Sequence, residues 1–406
     1  MTAILDVPSS TTPSPVPTIP PRPHLAKFDR PVVPALILLG LATGFVLLRL
    51  ADAAHGNISA FVVAGSQFTS SHGVPHGLVV MPGAGYDGQF YYRFALSPFN
   101  QSVLVHGIHL DTLFRRQRIG YSILAWLVGF GQPGWIPAAL VIVNVVGLGA
   151  LGFLCGMWAR SYGRHAMWGL LPAGYFGLVW SLSRDLTEIT AVTFMVAGLV
   201  AVRSRRPILA AVAFSCGVLC RETIVVVVIA LCITRVLPIL RRMERPSLPD
   251  VAWLAPLATY GGWEVIERLR YGTFPLFSDR GNSGLPFVAV TKAVIYWLQH
   301  PNHDDHVQLI QMAVVASIVV LALCFMRSSS ALPVEKLAFV LTLFLMASLS
   351  GEFWNSDPNQ FRGLVEVFVL GCGILFGARR TPLVVLPAVG TAFLWLLIAS
   401  LQIARI

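Results

Sequence analysis

The apolar residues of this chain fall in separate blocks of about twenty, the length at which a helix crosses a hydrocarbon layer of roughly 30 Å. The blocks lie near 31–50, 134–158, 165–182, 186–202, 207–221, 223–240, 250–267, 307–326, 332–350, 362–378 and 382–402. Composition points the same way. The 406 residues are 55% hydrophobic and 12% charged, too little charge to cover the surface of a soluble domain of this size. The expectation is an all-α, polytopic transmembrane bundle of about eleven spans, a single domain over 31–406. The first 30 residues, rich in Pro, Ser and Thr, read as a disordered cytoplasmic tail.

Basic residues set the orientation of such a chain, because those in short loops are retained in the cytoplasm. The stretch 119–131 (IGYSILAWLVGFG) is apolar but too short for a comfortable crossing. Read as an outer-leaflet helix, it leaves Arg160, Arg164, Arg203, Arg205, Arg206, Arg235, Arg241, Arg242, Arg245, Arg327, Lys336, Arg379 and Arg380 on the cytoplasmic side. The N-terminus is then inside, the C-terminus outside, and a large extracytoplasmic loop runs from 51 to 133. A second outer segment, 268–306, carries RYGTFPLFSDRGNSG and HPNHDDH. The net charge of +10 is thus a topology signal, and no patch points to a nucleic-acid partner.

Ionisable groups in or beside spans are costly and point to function. In this topology Arg184, Asp185 and Glu188, the pair Arg221 and Glu222, and Arg362 with Glu366 all fall at the outer end. Asp87, Arg93, Arg115, Arg116 and Arg118 lie in the first outer loop. One reading is structural: Arg184 pairs with Asp185, Arg221 with Glu222, and Arg362 with Glu366. The other is a pocket in which arginines hold a phosphate, for which the planar guanidinium fork is suited, and a carboxylate acts as a base. Asp87 precedes the aromatic run Phe90, Tyr91 and Phe94, so it is also a plausible helix N-cap, opening an amphipathic helix that would lie in the interface. The histidines of the outer segments, His72, His76, His106, His109 and the HPNHDDH cluster, have irregular spacing and read as solvated loop residues rather than metal ligands. No G-x-S-x-G, Walker A, H-E-x-x-H or C-x-x-C motif is present.

The segment GYDGQFYYRFA followed by RRQRIGYSILAWL resembles the first-loop signature of bacterial GT-C membrane glycosyltransferases. One span, then a large outer loop with an acidic residue and juxtamembrane helices, is similar to that family's plan. The resemblance covers 31–165 by sequence and the remainder by architecture. It implies an inverting transferase of the bacterial plasma membrane that moves a sugar from a polyprenyl-phosphate donor to an extracytoplasmic glycan or lipid acceptor. It implies Asp87 as the catalytic residue. Many family members carry a paired acidic motif where this chain has a lone Asp within YDG, so the subfamily and a divalent metal requirement stay open. Arg362, Arg221 and Arg184, then Arg93, Arg115 and Arg118, are candidates for donor phosphate, with Asp185, Glu188, Glu222 and Glu366 as supporting acidic residues. A lipid or sugar transporter would use the same charges, but should show internal repeats or broken spans near the midplane. An O-antigen-ligase-like transferase would carry its large loop late in the chain.

Overall fold

The computed structural model describes residues 28–70, 73–241, 251–279, 281, 283–300, 302–355, 359–378 and 382–405. Of the tail expected over residues 1–30, residues 1–27 lie outside the described residues, as do Arg242, Arg245, Arg379, Arg380 and His72. The fold is mostly helical, and its first helix is α1 (Val32–Ala51). The long loop that follows holds α2 (Gly88–Leu96), α3 (Ile119–Val128) and two minimal strand pairs. Ala64–Gly65 runs parallel to Val80–Met81, and Leu104–Val105 antiparallel to Ile108–His109.

Among the described residues, four segments are long and apolar enough to cross a membrane: Val32–Ala51, Pro133–Arg160, Asp304–Phe325 and Val385–Ala404. This corrects the expectation of about eleven. The other blocks are apolar, but the helices inside them are short or interrupted. Block 165–182 divides into α5 (Leu170–Ala173) and α6 (Gly177–Ser183), parted at Gly174. The next two are α7 (Glu188–Arg203) and α8 (Pro207–Cys220), of 16 and 14 residues. Two 17-residue helices follow, α9 (Ile224–Leu240) and α10 (Ala255–Tyr271). Beyond the short α11 (Val288–Gln299) and the long α12 (His303–Phe325), α13 (Pro333–Ala347) has 15 residues. Block 362–378 splits between α15 (Asn359–Gly363), which follows α14 (Gly351–Asn355), and the 12-residue α16 (Val365–Phe376). At 1.5 Å per residue that last helix rises only about 18 Å. The long α4 (Ile136–Arg160) and α17 (Val385–Ala404) frame the bundle.

These helices run back and forth between two ends of the molecule. At one end Arg160 meets Asp29 at 3.6 Å, and Arg203 donates to the Ser161 carbonyl at 3.3 Å. Arg164 donates to the Phe376 carbonyl at 3.1 Å, and Glu335 accepts from the Trp158 indole at 2.8 Å. At the other end lie residue 87, the 115–118 turn, and residues 188, 221 and 362. Buried Arg49, in the last turn of α1, donates to backbone carbonyls of Gln402 and Arg405. The C-terminal ends of α1 and α17 therefore lie together, and the two helices run parallel.

The first loop does not lie on the bundle as an interfacial helix. Every residue of α2 is buried, enclosed by α3, α4 and the short helix Ile58–Val62. Its aromatics therefore pack into protein, and Arg116 with Glu267 pins the loop to α10 as a fully buried ion pair. Outward-facing residues are apolar instead: Leu36, Leu47, Ile208, Leu386 and Leu396 are each more than half exposed. So large an apolar surface marks contact with something other than water.

The contact of α1 with α4 rests on small residues. A Cβ at Gly152 would meet the Pro34 carbonyl oxygen at 2.8 Å and Ala35 Cα at 3.1 Å, and one at Gly156 would meet Pro31 Cα at 3.1 Å. Close approach of this kind is how small residues let two helices pack without a hydrophobic driving force. Gly152→Leu should therefore lower stability by roughly 1–3 kcal/mol through overpacking, read as an earlier thermal midpoint in detergent. Gly44→Leu, where a Cβ meets nothing within 4 Å, should leave the midpoint nearly unchanged. Equal midpoints for the two variants would refute the packing account.

Candidate functional site

Asp87 occupies the N-cap position of α2, yet its side chain makes no capping hydrogen bond. The carboxylate turns instead into a ring of arginines. Asp87 Oδ1 lies 2.7 Å from Arg115 Nη1, and Asp87 Oδ2 accepts from Arg362 Nη2 at 2.6 Å. The helix can start here because Gly88 has no side chain. A Cβ at Gly88 would meet the Arg184 carbonyl oxygen at 2.3 Å and that of Val62 at 2.8 Å. Arg115 is braced from behind by Asp111, one turn earlier, with contacts of 2.7–2.9 Å.

The network continues inward through carboxylates on separate helices. Arg362 Nη1 donates to Glu188 Oε1 at 3.1 Å, and that oxygen lies 3.6 Å from Arg221 Nη1. Arg221 Nε is 3.4 Å from Glu366 Oε1, which also accepts from the Thr223 hydroxyl at 2.8 Å. Arg118 grips Glu222 through two hydrogen bonds, at 2.8 and 2.6 Å, and reaches the Tyr91 hydroxyl at 3.2 Å. None of the three pairings between sequence neighbours forms. Arg221 bonds to Glu188 and Glu366 rather than to Glu222, Arg362 to Asp87 and Glu188 rather than to Glu366, and Arg184 not to Asp185.

Six of the sequence-derived residues, Asp87, Arg115, Arg118, Arg221, Glu222 and Arg362, line one cavity of about 920 Å³. Glu188 and Glu366 stand behind it as ion partners. The lining also includes apolar side chains, among them Val225, Val226, Leu345, Met346 and Leu349. Arg93, Arg184 and Asp185 are not among its lining residues. Arg93 is buried and spends its guanidinium on the carbonyls of Ile108 and Val103, at 3.3 and 3.2 Å. Arg184 stacks on Trp180, 3.4 Å from the ring centroid, and donates to Gln402 Oε1 at 2.5 Å. Asp185 is fully buried, with φ +50° and neither carboxylate oxygen hydrogen-bonded.

Sequence reasoning missed Thr223, Asp279 and Glu352, which also line the cavity. Asp279 sits in the RYGTFPLFSDRGNSG stretch already set apart as an outer segment, but nothing in its spacing ties it to Asp87. Among the described residues no three His, Cys, Asp or Glu side chains gather as metal ligands. A divalent cation at Asp87 would have to displace Arg115 and Arg362. In the HPNHDDH stretch, Asn302 caps α12 by accepting from the Asp305 backbone N–H at 2.8 Å, and His300 stacks on Tyr296.

Burial alone would push the Asp87 carboxyl up, but Arg115 and Arg362 outweigh it and hold the group well below the ordinary carboxylate range. At Glu222 burial likewise raises, and Arg118 overrides it, leaving the group near about 2. A carboxyl with a depressed folded value adds stability above its unfolded value of about 4.3, and loses it as pH falls toward the folded one. The advantage of the wild type over Glu222→Gln in thermal midpoint should therefore be largest at neutral pH and shrink from about pH 5 to about pH 3. A gap independent of pH would mean that Arg118 does not hold Glu222 ionised. Comparison of the chain with family models, with curated proteins and with solved structures gives no match.

Proposed function

We propose that this protein is a membrane glycosyltransferase that moves a sugar from a polyprenyl-phosphate donor to an acceptor hydroxyl of a cell-envelope glycan or lipid. The observation that carries the reading is a cavity whose lining divides between charged groups, Asp87 and four arginines among them, and apolar side chains. A lipid-linked phosphate has the same division, an anion joined to a hydrocarbon chain. Arg221 is the best-placed anion ligand. It is 5% exposed and its Nε makes no hydrogen bond, whereas Arg115, Arg118 and Arg362 each hold a carboxylate at 2.6–2.7 Å. The contacts of Arg221 with Glu188 and Glu366, at 3.6 and 3.4 Å, are longer than these, so a charge-assisted bond to a phosphate oxygen would replace weaker ones.

In this reading the donor phosphate rests on Arg221, with Arg362 beside it, and its lipid lies along Val225, Val226 and Leu345. The acceptor hydroxyl attacks the anomeric carbon in a single displacement, inverting it, while Asp87 takes the proton as general base. The leaving group is already a phosphate and needs charge stabilisation rather than protonation. The cavity end is extracytoplasmic, since Arg160, Arg164, Arg203, Arg205 and Arg206 lie toward the opposite end and basic residues are retained inside. Single cysteines in place of Ser161, Ser204 and Ser328 should accordingly label from the cytoplasm, and those in place of His76 and Ser283 from outside. The reverse pattern would set the cavity on the wrong face for this chemistry.

The test of the reaction is sugar transfer from a polyprenyl-phosphate-sugar pool by the purified protein. Asp87→Asn should fold, because the side chain does not cap its helix, and should lose on the order of 10²–10⁴ in rate. Near-normal transfer by the folded variant would end the general-base assignment. Exchange of Arg221 with Glu222 would put an anion between Glu188 and Glu366, so it should abolish turnover rather than preserve a pair. An active exchange variant would count against Arg221 as the phosphate ligand.

A further inference from the structure

Asp87 and a phosphate ask for the same groups. Its two oxygens are divided between two guanidiniums, Oδ1 at 2.7 Å from Arg115 and Oδ2 at 2.6 Å from Arg362. Both arginines and Asp87 line the one cavity. Neither arginine depends on Asp87 alone. Arg115 keeps its two-pronged contact with Asp111, and Arg362 keeps Glu188 at 3.1 Å. Each guanidinium can therefore give up Asp87 without losing all its charged partners, a loss that is the expensive event for a buried cation. The carboxylate, for its part, has no capping duty.

We propose that Asp87 is an internal competitor for the lipid phosphate, occupying at rest the guanidiniums of Arg115 and Arg362 that pass to the leaving phosphate as Asp87 takes the acceptor proton. This rests on the donor reading above. The step balances in atoms and charge. The acceptor O–H bond breaks, its proton goes to an Asp87 carboxylate oxygen, and the acceptor oxygen bonds to the anomeric carbon. The bond between that carbon and the phosphate oxygen breaks, and its electron pair stays on the phosphate. Asp87 loses one negative charge while the phosphate gains one, so the arginines change partner with no change in the enclosed charge. The exchange also accounts for a base held so firmly ionised. The guanidiniums that weaken it as a proton acceptor leave as the proton arrives.

The experiment is direct binding of undecaprenyl phosphate to the purified full chain in nanodiscs, without turnover. If Asp87 competes, Asp87→Asn should bind the lipid phosphate roughly tenfold or more tightly than the wild type, because a charged hydrogen-bonding rival has been removed. Should Asp87→Asn fail to fold, Asp87→Ser removes the same charge and carries the same expectation. Unchanged or weaker affinity in a folded variant overturns the proposal. Arg221→Gln separates the two ideas. If it loses affinity while Asp87→Asn matches the wild type, the donor site stands and the competition falls. If wild type, Arg221→Gln and Asp87→Asn all fail to bind, both fall.

Discussion

Arg362 is the residue on which the arrangement of the cavity end depends. Its guanidinium joins Asp87, carried by the first loop, to Glu188, carried by α7. Glu188 and Glu366 are almost wholly buried, where a carboxylate is costly unless cations pair with it. From Arg115 through Asp87, Arg362, Glu188, Arg221 and Glu366 the signs alternate. Removing Arg221 would leave buried Glu366 without the cation beside it, which is far worse than never having placed the pair there. The network therefore fixes how the loop, α7, α8, α15 and α16 sit against one another. A cavity walled by such a network keeps its shape without a ligand.

The helical class, the large first loop and the helix start at Asp87 could all be read from residue order, and so could the gathering of Asp87, Arg115, Arg118, Arg221 and Arg362 at one end. Spans could not be counted that way. Hydropathy measures apolar length, whereas a crossing needs unbroken helix. Block 362–378 is apolar apart from Arg362 and Glu366, but the helix breaks between Gly363 and Val365, and block 165–182 breaks at Gly174. The pairing of sequence neighbours, one of the two readings of these charges, fails for a geometric reason. Arg221 and Arg184 each cap the C-terminus of a helix, and Glu222 and Asp185 lie in the turns beyond, so neither pair shares a helix face. The i,i+4 pair Arg362 and Glu366 fails because the helix break falls between them.

Partners from distant stretches carry no local signal. Arg116 finds Glu267, and Arg118 finds Glu222, across more than a hundred residues. Arg49, in the last turn of α1, likewise gives no sign in the sequence of what it meets. Here it is fully buried against the C-terminal segment. Arg93 illustrates the opposite error. A loop arginine beside a catalytic candidate invites a phosphate role, but its guanidinium is consumed by the backbone carbonyls of Ile108 and Val103.

The short helices that lower the count of crossings also explain how charge reaches the cavity. Both α4 and α8 have one terminus at the end where Arg203 meets Ser161. The 25 residues of α4 rise about 37 Å from that end and the 14 of α8 about 21 Å. Arg221, which closes α8, thus falls roughly 15 Å short of the level where α4 begins. A long helix would have carried that guanidinium to the surface, where water would screen it. A short one leaves it recessed beside apolar side chains, and the space beyond it is taken by the first loop, whose α3 and 113–118 turn pack against α8. Helix shortness and loop burial are in this sense one feature. The first loop has to descend into the bundle because the helices beneath it stop early, and only there can a carboxylate from the loop meet arginines from the ends of those helices.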